Sequence, residues 1–318
     1  MESGRVTKDT CLKLSRRKLL TLLAGLGLSP AMPTTASTPQ TANSLSRTIP
    51  SSGERLPVIG MGTWLTFDID GENHGLRTAR IKVLETFFQL GGRLIDSSPM
   101  YGAAEDVVGY CLRQLDAPDS LFAATKVWTH GRERGIAQME QSRRLWGVKR
   151  FDLMQIHNLL DWQSHMETLQ EWKKSGRIRY LGITTSHGRR HTELENALRQ
   201  YDYDFVQLTY NIRDREAEQR LLPLATEKGI AVIANRPFAG GELFSHVSNI
   251  SLPSWARELG CENWAQFFLK FIIGHAAICC AIPATSQVPH MVQNMGAAYG
   301  TVPDAAQRRR MAQFFLSL

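Results

Sequence analysis

The chain is short of the features that usually announce a function. It has only five cysteines, and one of them, Cys11, lies close to the N-terminus. The other four, Cys111, Cys261, Cys279 and Cys280, follow no metal or disulfide-framework spacing. The adjacent pair falls on a predicted strand, where successive side chains point to opposite faces, so these thiols read as small buried apolar groups. Histidine is sparse, nine in all, and residues such as His130 and His187 sit in predicted loops without ligand spacing. That argues against a metal-dependent hydrolase and predicts no metal site. The Gly-x-Gly-x-x-Gly signature of doubly wound dinucleotide folds is missing too, since Gly25-Leu26-Gly27 does not follow a strand. No apolar run reaches the roughly 20 residues that span a bilayer. The net charge of +7 is uneven: Arg5, Lys8, Lys13, Arg16, Arg17 and Lys18 against Glu2 and Asp9 leave +4 in the first 36 residues and only +3 beyond. A mildly basic body gives no reason to expect a nucleic-acid partner.

What is present at the N-terminus is Ser15-Arg16-Arg17-Lys18-Leu19-Leu20, paired arginines before a short apolar, glycine-containing run to Leu28, then Pro30 and small residues ending at Ala36. The segment resembles a twin-arginine translocation signal. The resemblance implies residues 1–36 as a signal peptide, cleavage after Ala36, the twin-arginine machinery as a partner and a periplasmic location. An uncleaved, membrane-anchored start is the other reading. Residues 37–46 carry no charge and almost no large apolar side chain, which predicts a disordered tether.

From Arg47 onward short β-type runs alternate with helical patterns. Strands are predicted at 58–63, 94–97, 122–127, 153–157, 180–184, 205–209, 231–235 and 278–282. Helices are predicted at 79–90, 104–115, 135–146, 165–175, 190–200, 216–228, 263–273 and 289–298. Eight βα units predict one (β/α)₈ barrel over residues 47–318. A hairpin at 47–56, turning at Ser51-Ser52-Gly53, would cap its bottom, and a final helix within 303–318 would lie outside. The chain is expected to act as a monomer.

In such a barrel the strand ends and the loops after them meet on one face. Asp96 closes the second predicted strand, Tyr101 follows it, Lys126 lies in the third and His157 ends the fourth. Lysine inside a parallel strand is expensive to bury unless paired, and Asp96 is the evident partner. A phenol beside an ammonium held by a carboxylate is a proton donor in waiting.

With these four residues, and with Gly60-Met61-Gly62-Thr63-Trp64, Leu181-Gly182-Ile183-Thr184, Gln207-Leu208-Thr209-Tyr210-Asn211 and Ile282-Pro283-Ala284-Thr285-Ser286, the body resembles the aldo-keto reductase superfamily. The resemblance implies reduction of an aldehyde or ketone by hydride transfer from NADPH or NADH. It assigns Tyr101 as general acid, Lys126 and Asp96 as its supports, and His157 as the group that fixes the carbonyl oxygen. Carried over in the same way, Gly62, Thr63 and Trp64 border the cofactor, Thr184 and Gln207 bind its carboxamide and Tyr210 stacks on its ring. Arg236, Pro237, Phe238, Gly241 and Leu243 belong to a loop around the pyrophosphate, with Thr285, Gln287 and Asn294 at the adenosine end. Two departures stand out. Thr184-Thr185 replaces the family's frequent Ser-Asn, and residues 284–290 carry no Lys or Arg where the 2′-phosphate of NADPH commonly finds one, which leaves the cofactor open between NADPH and NADH. Trp64, Met100, Trp128 and Phe238 predict an apolar mouth for a small-molecule carbonyl substrate. The second reading is a non-catalytic nucleotide-binding barrel that regulates a partner.

Overall fold

The computed structural model describes residues 44–71 and 73–318. The predicted signal and residues 37–43 of the predicted tether lie outside the described residues. The body starts a little earlier than expected, because Leu45 donates its N–H to Ala298 and Ser46 already belongs to a strand.

An antiparallel hairpin opens it, β1 (Ser46–Thr48) against β2 (Arg55–Pro57). Eight parallel strands follow: β3 (Met61–Gly62), β4 (Leu94–Asp96), β5 (Phe122–Val127), β6 (Phe151–Ile156), β7 (Ile178–Thr184), β8 (Phe205–Thr209), β9 (Ala231–Asn235) and β10 (Ile278–Ala281). Each pairs with the next in sequence, and parallel bridges Ile59–Ala281 and Gly62–Ala284 join the last strand back to the first. Outside run α1 (His74–Gln89), α2 (Ala104–Gln114), α3 (Arg132–Trp146), α4 (Trp162–Lys174), α5 (His191–Gln200), α6 (Leu221–Glu227), α7 (Glu242–His246), α8 (Trp264–Ile273), α9 (Val288–Gly296) and α10 (Ala305–Leu316). This is the predicted (β/α)₈ barrel with its hairpin cap and extra C-terminal helix.

The deviations are local. α6 begins at Leu221 rather than 216, since Pro223 has no N–H and its ring would clash one turn upstream, so a helix can carry it only near its start. Residues 216–218 form a separate 3₁₀ turn. The five-residue α7 was not foreseen.

Period-two alternation sorts the barrel interior into two layers. The lower one is apolar, with Leu94, Phe122, Leu153, Tyr180, Phe205 and Ala231 packed together beneath Ala124 and Ile233. The Phe122 ring stacks on Tyr180 at 5.8 Å and meets Phe205 edge-on at 6.0 Å. Ile49 and Leu56 of the hairpin region belong to the same cluster and plug it from below. Two or four residues further along the same strands the inward positions become Asp96, Lys126, Gln155, Gln207 and Asn235, all buried. A second, larger apolar cluster fills the space between barrel wall and helices.

The C-terminal helix is held by charge as well as apolar contact. Glu218 accepts hydrogen bonds from Tyr210 Oη (2.5 Å), Arg308 (2.9 Å) and Arg215 (2.7 Å), while Arg308 also bonds the Phe271 carbonyl and lies over the Phe271 ring. Burial alone would raise the Glu218 pKa, but these donors outweigh it and bring it down to about 2. A depressed carboxylate contributes stability above its unfolded pKa and loses it as pH falls through the folded value. Melting temperature measured against pH should therefore fall between about pH 4.5 and pH 2, and Glu218→Gln should flatten that part of the curve. At neutral pH Arg308→Ala should cost about 1.5–3 kcal/mol, the worth of a hydrogen bond to a charged group.

Candidate active site

Above the polar layer lies a cleft of about 320 Å³, bordered by the loops after β3, β4, β6, β7 and β9. Its floor is built around an ion pair. Lys126 is fully buried and donates to Asp96 Oδ2 at 2.5 Å and to the Ser97 carbonyl at 2.7 Å. The other oxygen of Asp96 accepts the side-chain amides of Gln155 and Gln207, each at 2.9 Å. An ammonium has three protons, and one remains for the side occupied by Tyr101, whose ring centroid lies 5.0 Å from Nζ. Burial would lower the Lys126 pKa, yet Asp96 and Tyr101 together raise it, so the amine is held charged.

Tyr101 stands between floor and cleft. Burial raises the pKa of its phenol, Lys126 pulls it back and Asp96 raises it again, with a net upward shift. The ammonium by itself would make the phenol a stronger acid; in the folded chain burial exceeds that pull, which keeps the phenol protonated. The His157 ring packs edge-on against Tyr101 at 5.6 Å, and its Nδ1 lies 2.9 Å from Ser98 Oγ. Burial and then the charge of Lys126 hold its pKa well below the usual 6.5, so the imidazole is neutral. The backbone at Tyr101 is tightly fixed. Gly102 has φ +58°, a Cβ there would lie 2.2 Å from Asp68 Oδ1, and that oxygen accepts the Ala103 N–H. Ser98 Oγ accepts the Met100 N–H.

Of the residues expected at the cofactor, Gly62, Thr63, Trp64, Thr184, Gln207, Arg236, Pro237, Phe238 and Gly241 line this cleft together with Asp96, Tyr101 and His157. Lys126 lies beneath it. Tyr210 does not reach it: the side chain is fully buried, stacked on Phe271 at 6.0 Å and tied to Glu218, so the expectation that it stacks on a ligand ring is corrected by its place in the anchor of α10. Leu243 contributes its side chain to the core. Thr285 and Gln287 bond to each other where α9 begins, and Asn294 is buried within that helix, all outside the lining of the cleft. Gln207 lines the cleft, but its amide nitrogen is spent on Asp96 and on Gln155.

Sequence reasoning passed over several residues that the fold brings to the site. Asn235, at the inward end of β9, donates to the Thr185 carbonyl at 2.8 Å and accepts from Thr209. The alternation Ala231, Ile233, Asn235 was a signal that could have found it. Ser98, Asn158 and His187 also surround the cleft or its histidine. The rim is apolar: Trp64, Leu65, Met100 and Phe244 are exposed and line it, and the exposed Trp128 ring lies 6.5 Å from His157. Half of the ten large apolar side chains exposed among the described residues thus crowd one opening, which marks a binding mouth.

Breaking a buried pair leaves an uncompensated charge, at a cost of about 3–5 kcal/mol. Lys126→Met should lose stability on that scale in chemical denaturation, and Asp96→Asn/Lys126→Met should regain most of it. If the single and double variants are equally unstable, the pair is not what holds the floor together.

The comparisons with known proteins agree with this architecture. The family model described as aldo/keto reductase family matches residues 58–307. Methylglyoxal reductase YeaE of Escherichia coli is 27% identical over 75% of this chain and 84% of its own length. An NADH-specific methylglyoxal reductase of the same species is 27% identical over 63% of this chain and 69% of its own. Among solved structures, an aldo/keto reductase from Klebsiella pneumoniae in complex with NADP and acetate superposes with a TM-score of 0.72 at 24% identity, covering 85% of this chain and 95% of that one. The chain belongs to the aldo/keto reductase family.

Proposed function

We propose that the protein reduces aldehydes or ketones with NADPH or NADH, and that Tyr101 is its general acid. The observation that carries this reading is the buried Lys126–Asp96 pair directly beneath a protonated phenol and a neutral imidazole in an apolar-mouthed cleft. The fit to a nicotinamide dinucleotide is tested by what the cleft leaves unsatisfied. Thr185 Oγ1 is buried, lines the cleft and has no hydrogen-bond partner among the described residues. A carboxamide would satisfy it. Gly240 and Gly241, at φ +74° and +102°, present backbone without Cβ beside Arg236, a surface suited to a pyrophosphate. Thr184, Thr185, Asn235 and Arg236 would hold the cofactor, which when bound supplies the hydride.

The protein's own part is proton supply and orientation. Tyr101 donates its phenolic proton to the oxygen of the carbonyl as negative charge grows there, and the Lys126 ammonium stabilises the phenolate left behind. Asp96 keeps that ammonium charged. Ser98 Oγ already accepts the Met100 N–H, so its hydroxyl proton is free to point to His157 Nδ1. That tautomer leaves Nε2 carrying the ring proton, a donor suited to the same carbonyl oxygen. Trp64, Met100, Trp128 and Phe244 favour a carbonyl with an apolar, aromatic body over a small polar one.

Export completes the proposal. The Arg16-Arg17 signal resemblance supports passage to the periplasm as a folded, cofactor-loaded monomer. Fractionated cells should hold the protein in the periplasm, with nucleotide released on denaturation, and Arg16→Lys/Arg17→Lys should retain it in the cytoplasm. Periplasmic protein with no nucleotide and no affinity for one would sink this part.

Activity is tested by carbonyl-dependent oxidation of NADPH and NADH, with aromatic aldehydes expected to show a lower KM than methylglyoxal. Tyr101→Phe should reduce kcat by about 10²–10⁴-fold without loss of cofactor binding. A raised phenol pKa places the loss of the acid form above about pH 10, and His157 stays neutral, so kcat for reduction should be flat through pH 6–9, falling only at more alkaline pH. Nucleotide binding with no turnover of any carbonyl would instead favour a regulatory barrel.

A further inference from the structure

Glu105 is a buried carboxylate for which the proposed reaction has no use. It lies in the first turn of α2, four residues beyond Tyr101, and is 2% exposed. Its Oε1 accepts the Thr125 hydroxyl at 2.5 Å and the Trp146 indole N–H at 3.3 Å, and its Oε2 accepts the Ser142 hydroxyl at 2.7 Å. A carboxylate in such a place is costly where an apolar side chain could pack, so its position needs a reason. Burial pushes its pKa up, and the three donors together with the charge of Lys126 pull it only part of the way back, with a net upward shift.

The reason lies across the barrel wall. Thr125 and Lys126 are neighbours on β5, and strand side chains alternate: Lys126 projects inward to Asp96 while Thr125 projects outward to Glu105. One carboxylate therefore joins the helix that follows Tyr101 to the strand that carries the ammonium. α2 also packs closely on α3 here, since a Cβ at Gly109, one turn beyond Glu105, would come within 1.8 Å of the Leu145 carbonyl. Between Tyr101 and Glu105 the chain is held by the Asp68–Ala103 bond, and on the other side of Tyr101 by Ser98, which accepts the Met100 N–H.

We infer that Glu105 is a positioning residue, setting the spacing of Tyr101 and Lys126 by gripping Thr125 from outside the barrel. The inference rests on Tyr101 being the acid. The groups facing the phenol are Lys126 from β5, Asp96 from β4 and His157 after β6, and Lys126 is the charge that faces Glu105.

The test compares Glu105→Ala, Glu105→Gln, Thr125→Val and Tyr101→Phe in the full chain, reading kcat, KM, NADPH affinity, melting temperature and the pH dependence of kcat. Glu105→Ala should lower kcat by about 10- to 100-fold, the scale expected of a misplaced group, with NADPH affinity within about twofold of the unaltered chain. Its alkaline limb should move to higher pH, because a phenol further from Lys126 is a weaker acid. Thr125→Val should show a smaller fall in the same sense. Glu105→Gln, which still accepts from Thr125 and Trp146, should restore kcat to within about threefold and return the limb to its place. Two results overturn the inference: kcat of Glu105→Ala within twofold of the unaltered chain, or a parallel loss of kcat and NADPH affinity with the limb unmoved. Should Glu105→Ala fail to fold, Thr125→Val decides, and an unchanged kcat and limb there overturns the inference as well. Tyr101→Phe with undiminished kcat would remove the acid assignment itself, whatever the Glu105 variants do.

Discussion

A lysine ammonium with no exposure to solvent is the constraint to which the upper half of the barrel answers. Lys126 is stable in place because Asp96 is 2.5 Å away, and Asp96 is stable because two amides, Gln155 and Gln207, occupy its second oxygen. Below them the barrel is filled by aromatic and aliphatic side chains and stoppered by Ile49 and Leu56. The rings and aliphatic side chains of that layer separate the ammonium from the bottom of the barrel, so it acts upward, on the side where the cleft opens. The apolar lower layer thus shapes the electrostatics of the site as well as supporting the fold.

Lys126, Tyr101 and His157 lie within one small volume, and each is held in a fixed protonation state. Lys126 is kept charged by its partner, Tyr101 is kept protonated by burial, and His157 is kept neutral by burial and by the same lysine. One cation and two neutral donors form a set that can give a proton and then tolerate the anion left behind. Environments that push neighbouring pKa values apart are how proteins divide acid and base roles. Here Lys126 acts on both other groups, adding to the downward shift of His157 and opposing the upward shift of Tyr101.

How much of this the sequence discloses depends on how local each signal is. Strands betray themselves by alternation over four to seven residues, and a charged residue inside an apolar run, such as Lys126, stands out without knowledge of its partner. Glu105 does not, because its partners Thr125, Ser142 and Trp146 come from two other elements and each is unremarkable alone. Tyr210 illustrates the opposite error. A tyrosine just past the end of β8 reads the same whether it faces a cleft or the outer core, and the choice is made by Glu218 and by Arg308, 98 residues further along the chain. In the sequence Thr185 is only a departure from a familiar pattern, whereas its hydroxyl, without a partner among the described residues, is visible only once the strands have closed.

Backbone strain follows the same division of the barrel. Of the nine non-glycine residues with positive φ among those described, eight lie in loops that follow strands: Leu65 after β3, Asn158, Leu159 and Asp161 after β6, His187 and Arg190 after β7, and Arg236 and Ala239 after β9. Each carries a cost that the surrounding structure must offset, and the offset is supplied by hydrogen bonds such as Asn158 N–H to Thr184, His187 N–H to Thr209 and Asn211 to the Arg236 carbonyl. These strained positions place Arg236 above the Trp64 ring at 5.8 Å and His187 edge-on to it at 6.5 Å, so that loops from opposite sides of the barrel meet over the opening. An exposed tryptophan between a guanidinium and an imidazole has little to gain from water on its faces. The positive-φ residues of these loops are therefore concentrated around the opening of the cleft.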